Sequence, residues 1–256
     1  RGASAEAAAN LVERIFDGVS QALYGANRDF TYVDSQALCD AKVKGDALEH
    51  GDLRWRVLVL PETDTLPREA WEKVAAFWRK GGAVIAVGAR PENDERALPS
   101  EKAQAIGREL FGDGDAPSVT TNKAGGVGVL LPGGMTALVP RFIDAFVARD
   151  AACADSVAPI KITRRRVDGY DVYFAINDSA SAWTGELTFC GDGVSERWDP
   201  ATGEMATLAQ GANVPIEIGP YGALLFRARR AGTPRRLAGA ASAGLLGDSG
   251  MEPHEF

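Results

Sequence analysis

The sequence predicts an α/β domain with a mostly parallel sheet, followed by a small all-β antiparallel sandwich. Three observations carry this. Up to residue 154, apolar strands alternate with amphipathic helices. After Asp155, short strands recur every 8 to 12 residues or so, separated by turn-forming residues. The change is abrupt, so the expected domains are 1–154 and 155–230. Residues 231–256 are rich in Gly, Ala, Ser and Pro without periodicity and read as a linker or disordered tail.

From Ala5 to Leu23, Leu11, Ile15, Val19 and Leu23 form one helix face, with Val12 and Phe16 widening it. Asp29 to Asp34 (DFTYVD) reads as a short strand. Arg54 to Glu62 (RWRVLVLPE) is a second, and its unbroken Val57 to Leu60 suits a strand covered on both faces. Pro67 suits a first helical turn. Trp71, Val74, Ala75 and Trp78 repeat at i, i+3, i+4 and i+7, and Gly81-Gly82 stop the helix. Asp64 or Thr65 is expected to cap it. Ala83 to Gly88 returns as a buried strand, completing a crossover unit with a parallel pair. A helix from Pro99 to Phe111, strands near Ser118 and from Val127 to Pro132, and a helix from Met135 to Arg149 follow. The sandwich strands are IKITRRRV, YDVYFAIN, GELTFC, VSERW, EMATL, VPIEIG and ALLFRAR.

The formal net charge is −7 and the pI about 5.0. Nucleic-acid binding needs a basic surface and gains no support; the one basic cluster, Phe226 to Arg236, reads as a solvated strand end. No apolar run approaches the roughly 18 residues of a membrane span. Cys39, Cys153 and Cys190 lack metal or disulfide spacing, and His50 and His254 are too few for a histidine metal site. No metal or cofactor is expected. The chain starts without Met or a signal pattern, directly in a helix, and reads as part of something larger.

Several motifs come close to chemistry. A nucleophile elbow needs G-x-C-x-G or G-x-S-x-G, and neither occurs. A Cys39–His50 pairing reads better as a buried structural thiol. Lys123 to Gly134 is glycine-rich but misses the dinucleotide spacing; Gly133-Gly134 could open a helix toward an anion, though a tight turn fits better. Gly112 to Asp115 and Asn93 to Arg96 lack the alternating ligands of a calcium loop. Glu62 and Asp64 follow a parallel strand, where α/β sheets bind ligands, yet their setting also suits a helix start. Asp199 and Glu204 follow Trp198 in RWDPATGE, but Pro200 and Gly203 make that stretch a hairpin turn.

The segment from Arg54 to Pro91, with a buried strand ending in Leu-Pro, a TLP helix start, Gly-Gly and a Val-Ile strand ending in Gly, resembles large bacterial α-L-rhamnosidases of glycoside hydrolase family 106. There, a flavodoxin-type, amidotransferase-like α/β domain follows the catalytic barrel. ALYGANRDFTYVD is similar to the preceding helix end and strand. GYDVYFAINDSAS, RWDPATGEMATL and GPYGALLFR resemble the C-terminal β domain. Similar segments occur in family 42 β-galactosidases, where the α/β domain mediates trimer formation. The resemblance implies a secreted or periplasmic parent whose acid and base carboxylates lie on a barrel of about 250 residues, outside this chain. No catalytic residue is carried over. The α/β domain is expected to lack its nucleophile and first strand, and to pack on the barrel or another subunit.

Two further readings stand beside this one. A carbohydrate-binding module would use Trp183, Trp198, Tyr170 and Tyr221 to stack on sugar faces. Tyr173, flanked by Val172 and Phe174, belongs to the core by alternation. An active α/β hydrolase or amidotransferase is the weakest reading, lacking its elbow.

Overall fold

The computed structural model describes residues 5–114, 116–155, 158–190 and 193–229. The chain divides into two compact units, Arg1–Val147 and Ala148–Phe256. The expected tail lies outside the described residues, as does most of the basic cluster.

The first unit opens with α1 (Ala5–Gly25) and α2 (Ser35–Asp40). α1 buries Ile15, Val19 and Leu23 as its periodicity requires. Val12 and Phe16, expected to widen that face, are instead exposed. The expected strand at Asp29 to Asp34 does not form. Its aromatic residues meet α1 instead: Tyr32 stacks on Phe16 at 5.1 Å, and Phe30 sits edge-on to Tyr32. Asp34 caps α2 by accepting the Ala37 amide hydrogen at 2.7 Å.

A small antiparallel sheet of β1 (Lys42–Lys44), β2 (Ala47–His50) and β3 (Leu53–Trp55) follows, which apolar periodicity did not reveal. The main sheet holds β4 (Val57–Pro61), β5 (Ala83–Val87), β6 (Ser118–Thr121) and β7 (Val127–Leu131) in the order β4-β5-β7-β6. β4, β5 and β7 are parallel, whereas β6 joins the edge antiparallel. The sheet is thus mixed. Only a short connection through Asn122 and Gly125 links β6 to β7, and a parallel pair needs a longer crossover.

α3 (Arg68–Arg79) connects β4 to β5 and buries Trp71, Val74, Ala75 and Trp78. Neither Asp64 nor Thr65 caps it. Pro67 stands at the cap position, and the Arg68 amide donates to Glu95 at 2.7 Å. α4 (Glu101–Phe111) is capped by Ser100. The single helix expected from Met135 splits into a 3₁₀ turn (Gly133–Leu138) and α5 (Val139–Phe146). Pro140 explains the break, since proline fits only the first helical turn.

The second unit contains β8 (Ala151–Cys153), β9 (Ile160–Val167), β10 (Tyr170–Asn177), β11 (Trp183–Phe189), β12 (Val194–Trp198), β13 (Met205–Gly211), β14 (Asn213–Ile218) and β15 (Ala223–Arg229). They form two antiparallel sheets, β13-β12-β15-β10-β9 and β14-β11-β8. β8 precedes the change of pattern at Asp155 but pairs with β11, so it is built into this unit. Between the sheets Tyr173, Phe189 and Phe226 pack ring on ring, with Leu187, Ile160 and Val194 around them. Burial alternates along β10, as a strand with one face on a core dictates.

Asn177 ends β10 and is 1% exposed. Its amide donates to the carbonyls of Ser181, Ile218 and Gly219 at 2.7, 3.1 and 3.0 Å. Its carbonyl accepts from Ser179 at 2.8 Å. Asn177→Ala leaves the buried Ile218 carbonyl, and the part-buried carbonyls of Ser181 and Gly219, without their donor and is expected to cost about 2–3 kcal/mol in urea unfolding. A loss under about 0.5 kcal/mol, within the range of an ordinary surface substitution, would show that the clamp carries no stability.

Candidate carbohydrate-contact surface

The four aromatic candidates sit in three different settings. Trp183 opens β11, faces inward and packs against the sandwich core. Its indole lies over Gly185, where a Cβ would meet the ring at 2.3 Å. Trp198 and Tyr170 lie on the outer face of the five-stranded sheet, half-buried. Tyr221 sits on the turn between β14 and β15 and is 70% exposed.

Strand pairing explains the outer face. Trp198 stands opposite Met205 on β13 and Leu225 on β15, and Leu225 stands opposite Phe174 on β10. One row therefore runs Met205, Trp198, Leu225, Phe174 across four strands. In the next row Glu196 faces Arg227, which faces Val172. The Arg227 guanidinium lies 4.4 Å from the Tyr170 ring centre and 5.8 Å from that of Trp198. Glu196 accepts from Arg227 Nη2 at 2.7 Å and from Trp198 Nε1 at 3.1 Å. Arg227 and Glu196 thus join two aromatic candidates into one surface. Neither was singled out from the sequence. The only available signal was the i, i+2 spacing of Glu196 and Trp198, which says nothing about the partner strand.

This arrangement offers planar apolar faces beside fixed polar groups, the combination a sugar ring fits. Its electrostatics are settled. The hydrogen bond from Arg227, and then that from Trp198, hold the Glu196 carboxyl below its ordinary value. A proton-donating acid would require the opposite shift.

The two carboxylates of RWDPATGE frame a hairpin. The Asp199 amide donates to the Glu204 carbonyl at 2.9 Å. Asp199 Oδ1 accepts the Ala201 amide hydrogen at 2.8 Å, and Gly203 takes φ +76°.

In the first unit the carboxyl ends of the parallel strands are occupied by protein. Ile15 of α1 reaches within 2.5 Å of where a Gly133 Cβ would stand and within 3.1 Å of that of Gly88. Glu62, at φ +43°, turns its carboxylate over Gly88 and accepts the Ala89 amide hydrogen at 3.1 Å. Burial raises its pKa, only partly offset by that bond. The space where an α/β sheet takes a ligand therefore holds an isoleucine and a backbone-bound carboxylate. The Gly133-Gly134 amides open a 3₁₀ turn behind that isoleucine.

Cys39 lies beside a shallow polar depression lined by Ser35, Gln36, Arg68, Glu69 and Glu95. Burial, then the charges of Glu69 and Asp40, push its thiol up, away from the thiolate a nucleophile needs. His50 faces Leu53 across the β2–β3 pair. Among the described residues, no group of three His, Cys, Asp or Glu is placed to hold a metal. No helix among them is long and apolar enough to cross a membrane. Asp94, in the expected acidic loop, is bonded to Ser100, Arg96, Ala97 and Arg68.

Two measurements check these assignments. Glu196 has a lowered folded pKa, so its pairing stabilises fully above the unfolded value and is lost as the pH falls through the folded one. The stability gap between the wild type and Glu196→Gln is expected to hold from pH 8 to 5 and close below the ordinary glutamate value of 4.5. A gap unchanged down to pH 3 would mean that Glu196 is unpaired. Cys39 is expected to resist thiol-directed reagents at pH 7 until the protein unfolds. Rapid stoichiometric labelling of the native protein there would overturn the assignment as a structural thiol.

Neither a protein-family model nor a curated protein sequence matches the chain. Solved structures do. A rhamnosidase from Novosphingobium sp. PP1Y matches 83% of this chain at 20% identity and a TM-score of 0.60. A GH42 β-galactosidase from G. stearothermophilus matches 90% at 13% identity and a TM-score of 0.59. A β-galactosidase from Bacillus circulans sp. alkalophilus matches 90% at 15% identity and a TM-score of 0.56. The chain spans 21%, 38% and 39% of those chains respectively. It shares its fold with a part, and under two fifths, of each of these glycoside hydrolases.

Proposed function

We propose that this chain is a non-catalytic accessory region of a glycoside hydrolase, with an α-L-rhamnosidase-like parent. The observation that carries the reading is the extent of the match. It takes in 83–90% of this chain, and hence both units in sequence, while covering a minor part of each glycosidase. A generic α/β fold alone would match the first unit only. Two features support the absence of a catalytic role for the α/β unit. Ile15 fills the carboxyl ends of its parallel strands, and the Cys39 thiol is held protonated.

The α/β unit then has a docking role, on the catalytic barrel of the parent or on another subunit. The exposed cluster of Phe16, Phe30 and Tyr32, with Val12 beside it on α1, supports this, since contiguous apolar surface is costly without a partner. The second unit contributes a substrate-facing surface. The outer face with Trp198, Tyr170, Arg227 and Glu196 supports that role over a purely structural one, because no core requires those aromatics there.

The test is turnover by this chain alone. Incubated with aryl α-L-rhamnosides and aryl β-D-galactosides, it is expected to release no aglycone above the buffer rate. Turnover that disappears on replacing a carboxylate within the chain would overturn the non-catalytic reading.

A further inference from the structure

One residue of the second unit is placed at a cost to the fold. Gly219 to Gly222 form a tight turn, with the Gly222 amide donating to the Gly219 carbonyl at 3.0 Å. Pro220 takes the second position and Tyr221 the third, at φ +52°. Type II turns demand positive φ there, and glycine meets that demand without strain. Four described non-glycine residues share the left-handed region: Asn27, Glu62, Asp168 and Tyr221. Asn and Asp tolerate it. Glu62 gains a hydrogen bond to Ala89 from it. Tyr221 gains nothing comparable. Its ring is 70% exposed and meets no aromatic, cation or hydrogen-bond partner among the described residues. Glycine would serve the turn better.

The turn is nevertheless rigid. The Tyr221 amide donates to the Ser179 carbonyl at 3.0 Å, and the Asn177 side-chain amide donates to the carbonyls of Ser181, Ile218 and Gly219, on both adjoining loops. A strained aromatic held outward on a fixed base is a recurrent sign of a binding role. That backbone bond brings the turn beside the β10–β11 loop, where Asp178 and Ser181 are exposed and add polar groups to the same end of the sandwich. A single ring falls far short of the roughly 800 Å² per partner that a stable protein interface buries. It suits a small ligand with one apolar face and a hydroxylated rim.

We propose that the Tyr221 ring at the β14–β15 turn is a stacking platform for a pyranose unit of a polysaccharide. The proposal rests on the glycoside hydrolase reading and identifies which of the aromatic candidates makes contact at the loop end. Affinity electrophoresis of the full chain in gels containing soluble β-1,4-galactan or rhamnogalacturonan tests it, beside thermal unfolding. The wild type is expected to be retarded by at least one polymer. Tyr221→Gly should weaken that retardation about tenfold and raise Tm by about 3 °C as strain is relieved. Tyr221→Phe should keep the retardation. Free migration of the wild type in both gels, equal retardation of Tyr221→Gly, or a lowered Tm in that variant would each overturn the proposal. None of these outcomes touches the accessory reading, which the turnover assay decides.

Discussion

A buried polar side chain costs more than it returns unless every partner is in place, and each unit is organised around one such group. In the first it is Asp94, 2% exposed, accepting from Ser100 Oγ at 2.6 Å, the Arg96 and Ala97 amides, and Arg68 Nε at 3.0 Å. Arg68 begins α3 and Ser100 caps α4, so one carboxylate fixes where two helices start. The Ser100 bond above all keeps that carboxyl well below the usual carboxylate range. In the second unit Asn177 does the same for the loops at one end of the sandwich. Hydrophobic burial drives the folding of each unit, but these two groups decide which loop conformations survive.

The same economy distributes the surfaces. In the α/β unit the carboxyl ends of the parallel strands are closed by Ile15 and by the Glu62–Ala89 bond, which leaves that unit's surface for contact. In the sandwich the aromatic residues divide between inner and outer faces by strand parity alone. Tyr173, Phe189 and Phe226 build the core, while Tyr170 and Trp198 are turned outward and bridged by Arg227. Parity thus separates the aromatics that build the core from those that face solvent.

The strands and helices with strong periodicity were legible in the sequence: α3 with its buried Trp71, Val74, Ala75 and Trp78, the buried β5, and the alternating β10. So was the Asp199 to Gly203 turn, whose residue types dictate its geometry. What escaped were features set by distant partners. Phe30 and Tyr32 favour a strand by propensity, yet no strand among the described residues pairs with them; Tyr32 stacks on Phe16 of α1 instead, and Phe30 packs on Tyr32. β6 runs antiparallel because its connection is short, which no apolar pattern records. Glu95 satisfies the start of α3 from 27 residues away, displacing the local cap that the sequence suggested. The pairing of Glu196 with Arg227 likewise spans 31 residues and depends on strand order.

That strand order has a consequence for how the protein behaves in crowded solution. β9 and β13 are the two outer strands of the larger sheet. β9 carries Arg164, Arg165 and Arg166 in succession, and charge along an outer strand discourages another chain from adding to it. β13, Met205 to Gly211, carries no charge at all. Along this sheet self-association by strand addition is therefore directional. It is blocked beside the arginines and open beside Met205, so a single lysine introduced into β13 would put charge on both edges of this sheet.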